Sequence, residues 1–467
     1  MDLLAFRDAT ALAGAIRQKR VSVAEVVAAT QERIDQVNPK LNAYVTRVSP
    51  EEVLRQARQA DAAIASGQPV GPLHGVPIAV KDDFETKGLR TTDGSKVLAN
   101  YMPQRDATVV ARLREAGAIL MGKLNMHELA MGGTTNNPHY GATSNPWDVR
   151  RIPGGSSGGS AAATAAGLCF GSLGTDARGS VRLPAAICGL VGIRPTFGRV
   201  SRYGVIPLSW SFDTVGPIVR SAADAALFLT AMGGYDPLDP ATYDVPPKLS
   251  LRGSVRGLRV GVPRNHFFDF IEPATEKLYR QAVDALAGLG VSLREVTVPQ
   301  ELEHIHPCYE AISRPEAAAY FENDVRARLA DFGDDVRLGF LQGMTLSAVD
   351  YIQAQRVRRL VQVKMRAVFD EIDVMVTPIL PAAAALKGQT STTIGGRTVS
   401  NRFAISHFTL PFSLADLPSV AVPCGLSPEG MPQSIQIAGK PFQEATVLRL
   451  AAAYERVSGW GWQRPPM

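Results

Sequence analysis

Hydrophobic and polar positions follow two periods along this chain. Short runs of branched apolar residues have strand length, and longer stretches place an apolar residue every three or four positions. In the first third, Ser22 and Glu25 form a capping box before an amphipathic run that reaches about Val37. Ser49-Pro50-Glu51-Glu52 sets Pro at a first helical position, with a Glu able to close a second box. VPIAV predicts a buried strand ending at Lys81. ATVVARLREAG (107–117) predicts a helix stopped by Gly117, and AILMG a strand after it. SGGSAAATAAGL (157–168) reads as a helix, CFGSLGTD as a strand entering a turn, and Ser221 as the cap of a helix through Leu229.

The second half repeats this grammar. LRVGV (258–262) and VSLREVTV are strands flanking the helix TEKLYRQAVDALAGLG. A long helix spans about 346–371, and VMVTP follows as a strand. SVAVPCG (419–425) and QSIQIAG (433–439) are the last strands, and a helix from about Glu444 to Val457 closes the pattern. Strands alternating with helices predict an α/β fold: one α/β/α body whose central sheet is mixed, mostly parallel, twisted and covered by helices. Length alone would suggest about three domains. No linker, charge block or repeat divides the 467 residues, so one domain over 1–467 is expected.

Composition narrows the class. The net charge of +5 argues against a polyphosphate or nucleic-acid binder, which would gather a basic surplus. Charged residues are 20% of the chain, below the roughly 25% of average proteins, which suits a large body and permits a homodimer. No run approaches the ~18 apolar residues of a membrane span. The opening MDLLAFRDATALAGAIRQKR lacks an apolar core, so no signal peptide is expected and a cytoplasmic location is. Cys169, Cys188, Cys308 and Cys424 are scattered and read as buried free thiols. Neither they nor the seven histidines form a metal-ligand pattern, so no metal and no cofactor is expected.

Three segments carry candidate chemistry: GVPIAVKDD (75–83), GGSSGGS (154–160) and GTDARGSVRLPA (174–185). Singly each is weak. A Lys at a strand end is usually a solvated charge, and a Gly/Ser run is usually a loop. Together and in this order they resemble the amidase signature family. KLNMHELAMGG (123–133), NNPHYGATSNPWD (136–148), GLVGIRPTFGRVSRYGVIPLSWSFDTVGPIVRS (189–221), LPSVAVPCG, QIAGKPF and GWQRPP extend the resemblance along nearly the whole chain, with a core at about 75–205.

The resemblance implies a Ser-cisSer-Lys amidohydrolase that works through an acyl-enzyme. Lys81 would be the base, Ser156 the bridging serine on a cis peptide, and Ser180, 24 residues on, the nucleophile. Ser157 is the nearest rival of Ser156. A serine hydroxyl needs a base, a neutral Lys can serve, and the apolar neighbours in VPIAV would lower its pKa. Ser156 could relay the proton because a hydroxyl both donates and accepts. The resemblance assigns the oxyanion donors to the N–H groups of Ala177, Arg178, Gly179 and Ser180, and substrate contacts to Met131, Gly132, Gly133 and Ser157. Arg178 stands where the family commonly has Gly. A positive φ there would be costly, and its side chain is expected to point away from the substrate. Asp176 and Arg182 are expected to form an ion pair that holds the turn. Residues 154–204 hold 12 of the 42 glycines, as close backbone approach would require.

The expected activity is hydrolysis of a linear aryl or alkyl amide, a small molecule, by a free-standing enzyme. A carbamate or ester hydrolase would use the same residues. The glutaminase subunit of a tRNA-dependent amidotransferase is the second alternative, supported by GRVSRYGV and AGKPFQEATVLRLAAAYE. The segment 309–329 departs from the stretch usual in that protein. A silent interaction protein is disfavoured by the presence of all three triad residues.

Overall fold

The computed structural model describes residues 8–246 and 249–467. Part of the opening segment, residues 1–7, therefore lies outside the described residues.

Eleven strands form one sheet: β1 (Tyr44–Arg47), β2 (Pro77–Lys81), β3 (Ile119–Leu124), β4 (Gly171–Thr175), β5 (Val191–Arg194), β6 (Val215–Val219), β7 (Arg259–Pro263), β8 (Ser292–Val296), β9 (Val374–Pro378), β10 (Ser419–Leu426) and β11 (Pro432–Gly439). Their order across the sheet is β1-β3-β2-β4-β6-β5-β10-β11-β9-β7-β8. The sheet is mixed and helix-covered, as expected, but it is not mostly parallel. Four neighbouring pairs are parallel, two on each flank. Six are antiparallel. The reason is local. β10 and β11 are joined by a short turn and must run antiparallel. β5 and β6 are also sequential antiparallel neighbours, and together these four strands fill the centre between two parallel α/β flanks.

The helices include α1 (Ala9–Arg17), α2 (Val23–Leu41), α3 (Pro50–Ala65), α4 (Thr108–Glu115), α5 (Gly158–Ala165), α6 (Arg182–Ile187), α7 (Ala222–Met232), α8 (Pro273–Gly288), α9 (Ile305–Tyr320), α10 (Ala348–Glu371), α11 (Asn401–Ser406) and α12 (Glu444–Ser458). Of these, α2, α3, α4, α5, α7, α8, α10 and α12 lie where the periodicity put them, while α1, α6, α9 and α11 were not read from it. The capping box of Ser22 and Glu25 forms on α2. The second box does not close. Ser49 accepts from the Glu52 N–H, while the Glu52 carboxylate turns to Arg55 and Gln56. A matching box, Ser347 with Asp350, starts α10.

β2, β3, β4, β5 and β6 are buried along their full length, as strands covered on both faces must be. α5 sits close to the sheet because Gly159 lacks a side chain. A Cβ there would come within 2.3 Å of the Asn125 carbonyl oxygen. Cys169, Cys188 and Cys308 are buried free thiols, while Cys424 is half-buried.

Candidate active site

β2 and β4 are adjacent and parallel, so their C-terminal ends deliver Lys81 and Thr175 to one place. Ligands in open α/β sheets bind at this end of the strands. Lys81 is fully buried. Its Nζ lies 2.8 Å from Ser156 Oγ, 2.5 Å from Thr175 Oγ1 and 3.0 Å from Asp83 Oδ2. Thr175 Oγ1 in turn donates to Asp83 Oδ2 at 2.7 Å. The wholly apolar setting expected for Lys81 is thus corrected: the VPIAV neighbours cover its stem, but a carboxylate faces its nitrogen.

Ser156 follows a cis peptide bond from Gly155. Its segment is pinned from both sides, since the His127 N–H donates to Ser156 O at 3.1 Å and Thr135 Oγ1 donates to Gly154 O at 2.8 Å. The Ser157 N–H donates to Ser180 O at 3.3 Å, which ties the two serine segments together. Ser157 does not face the substrate cleft. It is buried, and its hydroxyl bonds the Thr175 carbonyl. Its side-chain contact is internal, which corrects the expected substrate contact.

Ser180 opens the turn from β4 into α6. Asp176 organises that turn, accepting from the N–H groups of Gly179 at 2.7 Å and Val181 at 3.2 Å and from the Arg182 guanidinium. The expected Asp176–Arg182 ion pair is present and fully buried. Burial alone would raise the Asp176 carboxyl, but Arg182 and Arg194 outweigh it and hold it down to about 2. Arg182 also reaches Thr409 O, Ser413, Ser419 on β10 and Gln436 on β11, so the central strands anchor the nucleophile turn. The Gly179 N–H is occupied by Asp176, which removes it from the expected oxyanion donors. Among the described residues, the N–H groups of Ala177, Arg178 and Ser180 have no protein acceptor. Gly179 takes φ +129°, while Arg178 is outside the positive-φ region, so the steric cost feared at 178 does not arise.

A cleft of about 520 Å³ opens over Ser180. Met131, Gly132, Gly133 and Gly155 form one side, and Leu183, Leu208, Tyr309 and Ile405 give it an apolar lining. Arg178, Arg314 and Arg402 also line it. Arg178 therefore does not point away. It donates to Glu310 at 2.6 Å and Ser406 at 2.7 Å, and its guanidinium lies 5.2 Å from the Tyr309 ring centre. Arg314 and Arg402 pair with the same Glu310 carboxylate. Burial would raise Glu310, but Arg402, Arg178 and Arg314 together hold it down to about 2. Three guanidiniums thus share one carboxylate at the cleft wall. His306, beside Arg178, is pushed down to about 2 by burial first and by Arg178 second, so it stays neutral. His127 pairs with Asp335 and His139 with Glu128. Sequence reasoning missed Thr175, Glu310, Arg314 and Arg402. Asp83 was visible in KDD but bore no signal of its own.

A family model for Amidase matches residues 25–448. The chain belongs to the amidase signature family. This amidase is 39% identical to the A-subunit of glutamyl-tRNA(Gln) amidotransferase from Moorella thermoacetica, over 98% of this chain and 97% of that protein. Among solved structures it resembles a chain of a vestigial protein complex tied to the origins of an s-triazine catabolic enzyme, with TM-score 0.92, 36% identity and 99% and 100% of the two chains covered. It also resembles the A-subunit of glutamyl-tRNA(Gln) amidotransferase from Thermotoga maritima, with TM-score 0.79, 33% identity and coverage of 93% and 91%. Among the described residues, no helix is long and apolar enough to cross a membrane.

Proposed function

We propose that this amidase hydrolyses a carboxylic amide whose acyl part carries a carboxylate, through an acyl-enzyme on Ser180. Ser180 loses its proton through Ser156 to Lys81 and attacks the carbonyl carbon. The free N–H groups of Ala177, Arg178 and Ser180 are placed to receive the oxyanion, where each donor is worth about 3 kcal/mol of barrier. Protonated Lys81 returns the proton through Ser156 to the leaving nitrogen, and water then releases the acid by the same relay. The same groups would serve a carbamate or an ester.

The observation that carries the substrate class is the cleft wall. Arg178, Arg314 and Arg402 line the cleft and all three pair with one carboxylate, Glu310, which leaves a surplus of positive charge beside apolar residues. Neutral aryl or alkyl amides, the substrates expected from sequence, leave that surplus unmatched. The test is a panel of amides with and without a carboxylate in the acyl part, run on wild type and Arg402→Ala. The carboxylate-bearing amides should be preferred, and Arg402→Ala should lower their kcat/KM by about 10- to 100-fold, as loss of a charge-assisted hydrogen bond implies. Equal rates for both amide classes in the wild type would refute the assignment.

A second reading has its own support. The curated relatives at 39–40% identity are A-subunits of glutamyl-tRNA(Gln) amidotransferase. They favour a glutaminase component of such a complex over the free-standing enzyme preferred on motifs. Glutamine is itself an amide whose acyl part carries a carboxylate, so the two readings share one site chemistry and differ in the partner and the fate of ammonia. A cytoplasmic location fits both.

A further inference from the structure

The three short contacts of Lys81 Nζ raise a question of proton count. An ammonium has three N–H donors and no lone pair, and Nζ here has three acceptors: Ser156 Oγ, Thr175 Oγ1 and Asp83 Oδ2. This is the geometry of a resting ammonium, which cannot accept the Ser156 proton. It must first shed one. Of the three neighbours, the two hydroxyls are poor proton sinks and Asp83 is a carboxylate. Thr175 Oγ1 spends its own proton on Asp83 Oδ2, which fixes that carboxylate against Nζ. Asp83 is fully buried, and its other oxygen, Oδ1, has no hydrogen-bond partner among the described residues.

We infer that Asp83 is a positioning residue of the proton relay, resting as the counter-ion of the Lys81 ammonium and taking one proton from it to free the base. The inference rests on Lys81, Ser156 and Ser180 acting together as proposed above. The exchange is neutral overall: ammonium and carboxylate become amine and carboxylic acid. The amine lone pair then takes the Ser156 proton, Ser156 takes that of Ser180, and the Ser180 Oγ–carbonyl bond forms as the C=O pair moves to oxygen.

The surroundings leave this task to Asp83. Asp82 is paired with Lys123 at 3.2 Å. Asp93 is raised well above the usual carboxylate range by burial first and Asp83 second, and it makes no ion pair with Lys81 among the described residues. Glu128 accepts from Ser95, His139 and the Gly333 N–H. Asp213, which also feels Lys81, is pushed up to about 7 by burial and titrates in the working range. Asp213→Asn therefore serves as the background for the measurement.

The experiment follows phosphonylation of Ser180 by a fluorophosphonate, which needs the relay but no knowledge of the substrate. The Ser180 O–P bond forms, fluoride leaves, and the serine proton passes to Lys81. The rate is recorded against pH. Asp83→Asn removes the internal acceptor, so Lys81 must give its proton to solvent before it can act, and the acidic limb should move to higher pH by about 1–3 units. Movement to lower pH would mark a counter-ion that takes no proton, and overturns the inference. Asp83→Glu, which keeps the charge, should leave the limb near its wild-type position. A purely structural Asp83 would change stability without moving the limb, and an unmoved limb in Asp83→Asn overturns the inference. If Ser180→Ala labels as fast as wild type, the triad reading has failed instead. Should the variants not fold, the wild type decides. [15N]Lysine NMR at neutral pH should show Lys81 with three attached protons, and a neutral amine there would overturn the inference.

Discussion

At the scale of single residues, the site separates into groups that carry chemistry and groups that hold them. Under the proposed mechanism Lys81, Ser156 and Ser180 belong to the first. Ser180→Ala and Lys81→Ala should each lower kcat by about 10⁴-fold or more, since removing one member of a relay forfeits nearly all of its effect. Ser180→Ala should unfold at a temperature close to wild type, because Ser180 is only half-buried, whereas Lys81→Ala removes the fully buried partner of Asp83 and should unfold at a lower temperature. Turnover measured beside thermal unfolding checks both halves. A variant retaining a tenth of wild-type kcat would remove that residue from the triad. The three serine and lysine positions were legible because they lie in short motifs with fixed spacing. Asp83, Thr175, Glu310 and Arg402 were not, since each matters only through a partner that folding brings near. Arg402 and Glu310 are 92 residues apart and meet at 3.4 Å. Arg178 was legible as a departure but was misjudged. A general tendency of arginine toward solvent gave way to a specific carboxylate, Glu310, supplied by α9.

At the scale of elements, polar groups at helix starts decide how the layers join. Local caps such as Ser22 with Glu25 could be read directly, because both partners lie within one turn. The start of α7 could not. Ser221 caps it as expected, but Asp224 in its first turn reaches 214 residues back to accept from Thr10 N and Thr10 Oγ1, and also from Ala9 N. That carboxylate fastens α1 to α7. Burial chiefly, with nearby Asp8, pushes Asp224 up to about 6 against those hydrogen bonds. The sign follows. A carboxyl raised in the folded state binds more protons there than in the unfolded chain between about pH 4 and 6. Its contribution to stability is complete below about pH 4 and is lost as pH rises through about 6. Asp224→Asn cannot ionise and lacks this slope. Urea unfolding from about pH 4 to 7 should show the variant gaining on wild type by about 2–3 kcal/mol across that window, whatever constant offset the lost hydrogen bonds impose. Parallel stability curves would show that Asp224 does not titrate there.

At the scale of the molecule, the helix–strand alternation gave the α/β architecture but not the strand directions. Periodicity reports which residues are buried, and it is blind to which strand lies beside which. β10 and β11 read as buried strands either way, and only their short connection forces them antiparallel. The consequence is functional, since Arg182 is anchored by Ser419 and Gln436 on these two central strands, and through Asp176 it holds the Ser180 turn. The groups proposed as base, relay, nucleophile, oxyanion donors and arginine wall all come from this one chain. On that proposal the hydrolytic half-reaction needs no group from another protein, even if ammonia is passed onward. The purified amidase, without ATP, tRNA or a second protein, should release ammonia from glutamine or another carboxylate-bearing primary amide, and Ser180→Ala should abolish it. Addition of a candidate partner should alter KM or kcat by at most the roughly 10- to 100-fold that positioning a preformed site can contribute. If ammonia appears only when a partner is present, the cleft over Ser180 is incomplete in the isolated chain. Arg178, Arg314 and Arg402 would then be awaiting a contact from the partner as well as a substrate carboxylate.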